Sequence, residues 1–546
     1  MSTTPIAVAR PPIADPVAEG VARGWRVIDG ASLVGDQQLG CDVVIVGTGA
    51  GGGIAADLLT RAGLDVVLVE EGPLKSSRDF RMREADAYPQ LYWDAASRKT
   101  HDKAISILQG RAVGGSTTVN WTSSFRTPPA TLAVWRERFG LEDLTEAALA
   151  PAFEQVERRL GITPWSVAPN ENNALLQRGA AALGIATAAI RRNVRDCWNL
   201  GYCGMGCPTN AKQSMLVTCI PDALGRGARL FTRLRAERVA FVGNRADHLV
   251  CAALRDDGLT SSGATLTVRA RHVVLAGGAI NTPGILLRSE APDPYERLGR
   301  RTFLHPTTVS AARMAQRVDG HAGAPQSVFS DHFLDSQPID GPLGFKLEAP
   351  PLHPVLFATT LHGFGAQHAT LMREFNRTHV LLALLRDGFH TDSPGGRVLL
   401  DGARPVLDYP LTAAVWDGVR RSLLAMAEIQ FAAGAQQVYP VHELAEGYTS
   451  FSAAKAAIAA LPMKPLLTRI VSAHVMGGCG MAASERKGVT NVRGRHHQIE
   501  NLSVFDGSLF PTSVGANPQL SIYGLVTRLA QQLASEMTGK PATPLG

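Results

Sequence analysis

The stretch that most constrains this chain is residues 41–72, CDVVIVGTGAGGGIAADLLTRAGLDVVLVEEG. Residues 43–46 form a continuous apolar run, of the kind found in a parallel strand covered on both faces. Gly47, Gly49 and Gly52 follow in G-x-G-x-x-G spacing, residues 54–59 read as helix, and a second apolar strand at 66–69 ends on Glu70. Each glycine has its own reason. Gly47 permits the tight turn, Gly49 lets the backbone approach a pyrophosphate, and Gly52 lets the helix pack closely on the strand. The helix start then offers free N–H groups and the positive end of its dipole to phosphate oxygens. Glu70 stands about 20 residues on, where a carboxylate accepts from ribose hydroxyls. A dinucleotide site of the Rossmann type is expected here. The motif does not by itself separate FAD from NAD.

The chain has 546 residues, 45% of them hydrophobic and 19% charged. That is too long for one core, so two or more domains are expected. The net charge of +6 comes from arginine, because only nine residues are lysine. No run of five basic residues occurs, so no nucleic-acid partner is expected. Residues 1–40 carry prolines where a secretory leader would need an apolar segment, and no apolar run of about 18 residues occurs. The expectation is a cytoplasmic protein, and seven cysteines suit that compartment.

Four further segments narrow the reading: GRAVGGSTTVNW at 110–121, AGGAINTPGILLRS at 276–289, HVMGGCGM at 474–481 and LSVFDGSLFPTSVGANPQLSIY at 502–523. Together with the N-terminal motif, these resemble the glucose-methanol-choline (GMC) oxidoreductase family of flavoenzymes, from about residue 41 to residue 535. Two departures stand out. The second signature usually closes Ser-Gly and here closes Ser289-Glu290; the histidine segment usually reads His-Pro and here reads His474-Val475. Within the family, GSTTVNW and the cysteine-containing middle look closest to long-chain alcohol oxidases and to bacterial sugar and polyol dehydrogenase subunits.

The resemblance implies an α/β fold: an FAD-binding Rossmann-like domain with a parallel sheet, and a substrate domain with an antiparallel sheet covered by helices. It places Gly47, Thr48, Gly49, Ala50, Gly51 and Gly52 on the pyrophosphate and Glu70 on the adenosine ribose. Arg111, Gly114, Gly115, Ser116 and Asn120 fall along the isoalloxazine, Val239 at adenine through its backbone, and Asp506 and Gly507 at the phosphate and ribitol. The expected boundaries are an extension at 1–40, FAD-binding parts at 41–165, 215–310 and 466–546, a cysteine-containing insertion at 166–214, and a substrate domain at 311–465.

Oxidising an alcohol requires the hydroxyl proton to leave while a hydride moves to flavin N5. A histidine suits the first task because its pKa lies near working pH. A second polar group can hold the oxygen as charge develops. The resemblance assigns these roles to His474 as base and Asn517 as orienter, with His305 in RTFLHP as a structural histidine. FAD is expected to be non-covalent, since the segment around Gly114-Gly115 has no histidine. The partners expected are a small alcohol, with oxygen, a quinone or an electron-carrier protein as acceptor. The same resemblance leaves other outcomes open: a hydroxynitrile-lyase-type enzyme, a flavin-dependent decarboxylase, or a sugar dehydrogenase subunit.

Cys197, Cys203 and Cys207 stand in C-x5-C-x3-C spacing before Pro208. Three thiolates so placed can ligate an iron–sulfur cluster. A reduced loop, one disulfide with a spare thiol, and a zinc site short of its fourth ligand are the alternatives. In the substrate half, residues 327–333, 355–362 and 379–385 alternate like strands, and 413–433 reads as helix. The stretch GFKLEAPPLHPVLFATTLHGFG at 344–365 is rich in Phe, Leu and Pro. It suggests an apolar alcohol channel, or a peripheral contact with a membrane.

Overall fold

The computed structural model describes residues 13–361 and 363–546. One of its two eight-stranded sheets is built around the first motif. Strand Gln37–Val46 pairs in parallel with Val66–Val69 on one side and with Ser261–Leu275 on the other. Strand Leu502–Val504 lies parallel to Ser261–Leu275, and Arg229–Thr232 lies parallel to Val66–Val69. Residues 43–46 and 66–69 are at most 5% exposed, as a doubly covered parallel sheet requires. Two antiparallel strands, Arg245–Leu254 and Leu234–Val242, complete one edge. Strand Arg26–Asp29 forms the other, pairing with Arg229–Thr232. Residues 26–29, assigned above to an extension, are thus part of the sheet.

The second sheet is mainly antiparallel. Strand Thr307–Arg313 lies between Thr378–Leu385 and both Ile470–Ser472 and Gln437–Pro440. Phe345–Glu348 and Val328–Ser330 extend it beyond Thr378–Leu385. Ile105–Ile107 joins its far edge, parallel to Ile470–Ser472. Its strands therefore come from well outside 311–465. The pleat divides the sheet's two faces. Thr308 and Ser310 point at helix Ala413–Ala432, where they hydrogen-bond Ser422 (2.8 Å) and Gln430 (2.7 Å). Their neighbours Thr307, Val309 and Ala311 face the opposite way, paired with Leu384, Leu382 and Val380.

One expected strand is a helix. The alternation at 355–362 gives way to helix Pro354–Thr360, and His362 lies outside the described residues. Pro354 presets the helical φ at the first turn. The carboxylate of Glu84, far away in sequence, accepts the N–H groups of Val355 (2.6 Å) and Leu356 (2.8 Å). That remote cap satisfies the helix's orphan donors, and local alternation cannot reveal it.

Candidate active site

One cavity of about 900 Å³ runs between the two sheets. One end is made of backbone. Residues 47–51, Gly110, Gly115, Ser116, Gly277, Gly278, Asp506 and Gly507 all line it. Gly47 has φ +96°, and a Cβ there would meet Ala276 O at 2.3 Å. A Cβ on Gly51 would meet Phe505 O at 1.6 Å. Gly52 packs against Gly47 O, where a Cβ would come to 2.0 Å. Helix Ala50–Arg61 begins at Gly49 with no side chain capping it, so its first N–H groups are free toward the cavity. This cradle admits backbone and phosphate but no side chain, and its unpaired donors fit the pyrophosphate of a dinucleotide.

The polar groups of this end are tied to one another. Glu70 Oε2 accepts the Thr48 N–H (3.1 Å) and hydroxyl (2.6 Å), while Oε1 accepts the Gly72 N–H (2.8 Å). Burial raises the Glu70 carboxyl above its ordinary range, and these three donors pull it back. Thr48 Oγ1 in turn accepts the Gly114 N–H (3.0 Å), which joins the first motif to the Gly114-Gly115 turn. Ser116 Oγ accepts the Gly110 N–H at 3.0 Å. Asp506 accepts from Gly278 (2.8 Å), Thr282 (2.6 Å) and the Ser508 N–H (2.8 Å), tying its own turn to the segment 278–282.

Of the cofactor residues assigned from the sequence, Gly52, Gly114 and Val239 are not on the cavity wall. Val239 does not line the cavity: its N–H donates to Ser289 Oγ at 2.9 Å, and residues 234–237, earlier on the same strand, line it instead. Arg111 lines the cavity, ion-pairs with Glu71 (3.2 Å), beside Glu70, and lies over the Trp93 ring. The cysteines are not gathered. Among the described residues, no group of three His, Cys, Asp or Glu side chains is placed to hold a metal ion. Cys203 Sγ faces the Arg192 guanidinium at 3.6 Å, and Cys207 Sγ takes the Lys212 N–H at 3.4 Å. The buried Lys212 ammonium donates to the carbonyls of Thr118, Asn120 and Cys203, so cationic side chains and backbone occupy the space among the thiols.

The other end of the cavity is an apolar chamber. Val309, Ala311, Val380, Leu382 and Leu384 face it from the second sheet, and Leu356, Phe357 and Leu361 close it from the segment after Pro354. His474 and Asn517 line the cavity where the backbone-built end meets this chamber. His474 follows strand Ile470–Ser472, and its N–H donates to Ser472 Oγ at 3.2 Å. Burial pulls its pKa down to about 4, so the imidazole is neutral at working pH. Asn517 sits one residue before Pro518, which caps helix Gln519–Thr538, and is 4% exposed. Asn120, also on the cavity wall, donates to Gln519 at 2.7 Å.

His305 does more than pack. Its ring meets the His474 ring edge to face, with the two Nδ1 atoms 3.3 Å apart, and its Nε2 accepts the Gly515 N–H at 3.0 Å. An Nε2 that accepts leaves the proton of neutral His305 on Nδ1, pointing at His474 Nδ1. His474 then carries its own proton on Nε2. Freeing His474 Nε2 as an acceptor changes both tautomers: the shared proton passes to His474 Nδ1, His474 Nε2 releases its proton, and His305 takes one up at Nε2, which costs the Gly515 hydrogen bond. His305 is held at φ +46° by Asp387, which accepts its N–H at 3.1 Å and that of Leu304 at 3.0 Å. Two further residues went unnoticed in the sequence: Glu348 and Gln326, both hydrogen-bonded around Asn517. The available signal was a Lys and a Glu two apart in FKLE, on one face of a buried strand.

Two GMC oxidoreductase family models match the chain, the N-terminal one over residues 88–307 and the C-terminal one over 392–525. An uncharacterized GMC-type oxidoreductase of Mycobacterium tuberculosis is 32% identical over 508 residues, covering 91% of this chain and 76% of that protein. This chain belongs to the GMC oxidoreductase family. A long-chain-alcohol oxidase of Arabidopsis thaliana is 27% identical over 522 residues, 92% of this chain and 67% of the plant protein. Among solved structures, pyridoxine 4-oxidase from Mesorbium loti aligns with a TM-score of 0.67 at 19% identity, over 90% of this chain and 99% of that one. A formate oxidase of Aspergillus oryzae RIB40 aligns with a TM-score of 0.68 at 15% identity, over 92% and 99%. As a GMC oxidoreductase, the protein is an FAD-dependent enzyme acting on CH–OH donors. The glycine cradle and the uncapped helix start fit that cofactor. Among the described residues, no helix is long and apolar enough to cross a membrane.

Proposed function

We propose that this GMC oxidoreductase oxidises an apolar primary alcohol to the aldehyde at His474 and Asn517, with FAD held non-covalently. The observation that carries the reading is their position, at the meeting of a backbone-built cofactor cradle and a chamber walled by Val, Leu, Ala and Phe. Bound FAD supplies the acceptor for the hydride. The chain's residues do the rest. The chamber excludes water and takes up the alkyl chain, which is favourable by about 0.8 kcal/mol per buried CH₂. His474 Nε2 meets the hydroxyl and, in the tautomer that frees it, accepts the proton; Asn517 orients the oxygen. No other histidine among the described residues lines the cavity, which supports His474 as the base and leaves no further imidazole for a covalent flavin link. The long-chain-alcohol oxidases among the relatives agree with an apolar substrate.

The acceptor is oxygen, a quinone or a carrier protein. The test is an anaerobic visible spectrum of the holoenzyme titrated with alcohols from hexanol to long-chain and aromatic ones, with glucose alongside, followed by air. Bleaching by apolar alcohols and not by glucose is expected. Fast recolouring in air identifies an oxidase and slow recolouring a dehydrogenase. A flavin that no alcohol bleaches, while dithionite does, would overturn the proposal and favour lyase chemistry.

A further inference from the structure

We propose that Glu348 is a positioning residue whose state of ionisation decides which end of the Asn517 amide faces the substrate oxygen. The inference rests on the alcohol-oxidising reading above and concerns a residue outside it.

Glu348 ends strand Phe345–Glu348 and pairs with Leu382, whose side chain lines the chamber. Directly paired residues share a face, so Glu348 is on the cavity side of the sheet, yet it is 0% exposed. Asn517 covers it. Glu348 Oε2 accepts from Asn517 Nδ2 at 3.3 Å and also from Gln326 Nε2. Two atoms are left over. Glu348 Oε1 and Asn517 Oδ1 are both buried without a hydrogen-bond partner. Buried polar atoms without partners are uncommon, and Asn517 is a cavity wall, so its orphan oxygen is the atom available to a ligand.

The logic is one of donors and acceptors. An ionised carboxylate only accepts, so it must hold the nitrogen end of the amide and leave Oδ1 for the ligand. A protonated carboxyl donates. Its O–H then pairs with Oδ1, the amide turns over, and the N–H end faces the ligand. The first arrangement suits a hydroxyl that gives a hydrogen bond. The second suits an oxygen that only accepts, including one gathering negative charge.

The surroundings set the balance. Lys346, on the same face of the same strand, ion-pairs with Asp331 at 2.5 Å and lies over the rings of Phe125 and Phe329. Lys346 and Asp331 are the charged groups that bear on Glu348; Gln326 and Asn517 are its polar partners. Burial pushes the Glu348 carboxyl up to about 7, against the pull of Lys346 and the two amides. Both states are therefore populated near neutral pH.

The test reads binding in the holoenzyme through perturbation of the flavin spectrum. The probes are a tertiary alcohol, which donates and accepts but cannot be oxidised, and the ketone of matching shape, which only accepts. Affinities are measured from about pH 5.5 to 8.5 for the wild type and for Glu348→Gln, which keeps the shape and cannot ionise. In the wild type, the preference for ketone over alcohol should fall by about tenfold as pH rises through about 7, the value of one well-made hydrogen bond. In Glu348→Gln, the ratio should not change with pH. A flat ratio in the wild type overturns the proposal with no variant needed, and so does a ratio that still titrates in Glu348→Gln. If primary alcohols bleach the flavin while the ratio stays flat, only the role of Glu348 fails. If neither probe binds and no alcohol bleaches, the alcohol reading fails with it.

Discussion

The two ends of the cavity are built from different material. The cofactor end is backbone: its walls are Cα atoms, carbonyls and N–H groups, and side chains appear mainly to tie loops together, as Thr48 and Asp506 do. The substrate end is side chain: a pleated sheet presents Val309, Leu382 and Leu384 over a strand framework that many sequences can form. Where a backbone wall packs on backbone, as at Gly51, it tolerates no added atom. A side-chain wall tolerates exchange and translates it into specificity.

The sharpest way to break this comparison is at two neighbouring glycines. Gly51→Ala puts a Cβ 1.6 Å from Phe505 O, a clash with backbone that cannot move aside. A loss on the order of 4–5 kcal/mol or failure to fold is expected, read from the melting temperature and soluble yield. Gly49→Ala meets nothing nearer than Gly115 Cα at 3.8 Å, at an ordinary φ of −70°. It should melt like wild-type apoprotein yet lose FAD occupancy by tenfold or more, roughly one blocked phosphate contact. Equal effects at the two positions would mean the cradle is not shaped around a ligand.

Next in size is the base. His474→Ala should lower kcat by about 10²- to 10⁴-fold and leave flavin content unchanged, measured by anaerobic stopped-flow reduction.

Acid should weaken the whole molecule. Burial lowers His272 and His379 to about 3 and His474 and His496 to about 4. The unfolded chain takes up these protons from about pH 6.5 downward while the folded chain refuses them. Stability should therefore fall between about pH 6.5 and 4, by several kcal/mol in total, seen as a drop in melting temperature. Glu348 acts with opposite sign: its raised pKa favours the folded state at low pH, and that contribution is lost as pH rises through about 7.

At the substrate end, Leu382→Trp should shift preference toward shorter alcohols by about 10- to 200-fold in kcat/KM, with flavin content and melting temperature little changed. The smallest effect is expected at Glu290→Gly. Glu290 is exposed and held at φ +52°, the conformation for which the family signature usually supplies glycine. Restoring glycine relieves about 1 kcal/mol of backbone strain, a small rise in melting temperature for a chain this long.

The difference in material also explains what the sequence could reveal. Gly47 and Gly52 are legible because only glycine meets their steric demands, Gly49 through its place in the same spacing, and Asp506 because a carboxylate at a loop junction sits in a recognisable segment. The substrate sheet shows through in alternation at 379–385 and periodicity at 413–433. The helix at Pro354–Thr360 does not, because its cap is Glu84. Glu348 was invisible as a site residue, since its meaning depends on Asn517 and Gln326 meeting it from remote segments. Val239 was displaced along its strand for the same reason: the strand's register against the cavity is set by neighbours such as Ser289. The cysteine spacing was compatible with a cluster, but it did not show that Cys203 meets Arg192 and that Cys207 accepts from Lys212.

The closure of Gly51 by Phe505 has a consequence for biosynthesis. A ribosome delivers Gly51 long before Phe505, and strand Ile105–Ile107 likewise waits for Ile470–Ser472. Until then the nucleotide cradle lacks its floor and the substrate sheet lacks an edge. Such long-range pairings form slowly and leave apolar strands uncovered meanwhile. The nucleotide cradle is thus completed only once the chain has been synthesised past Phe505.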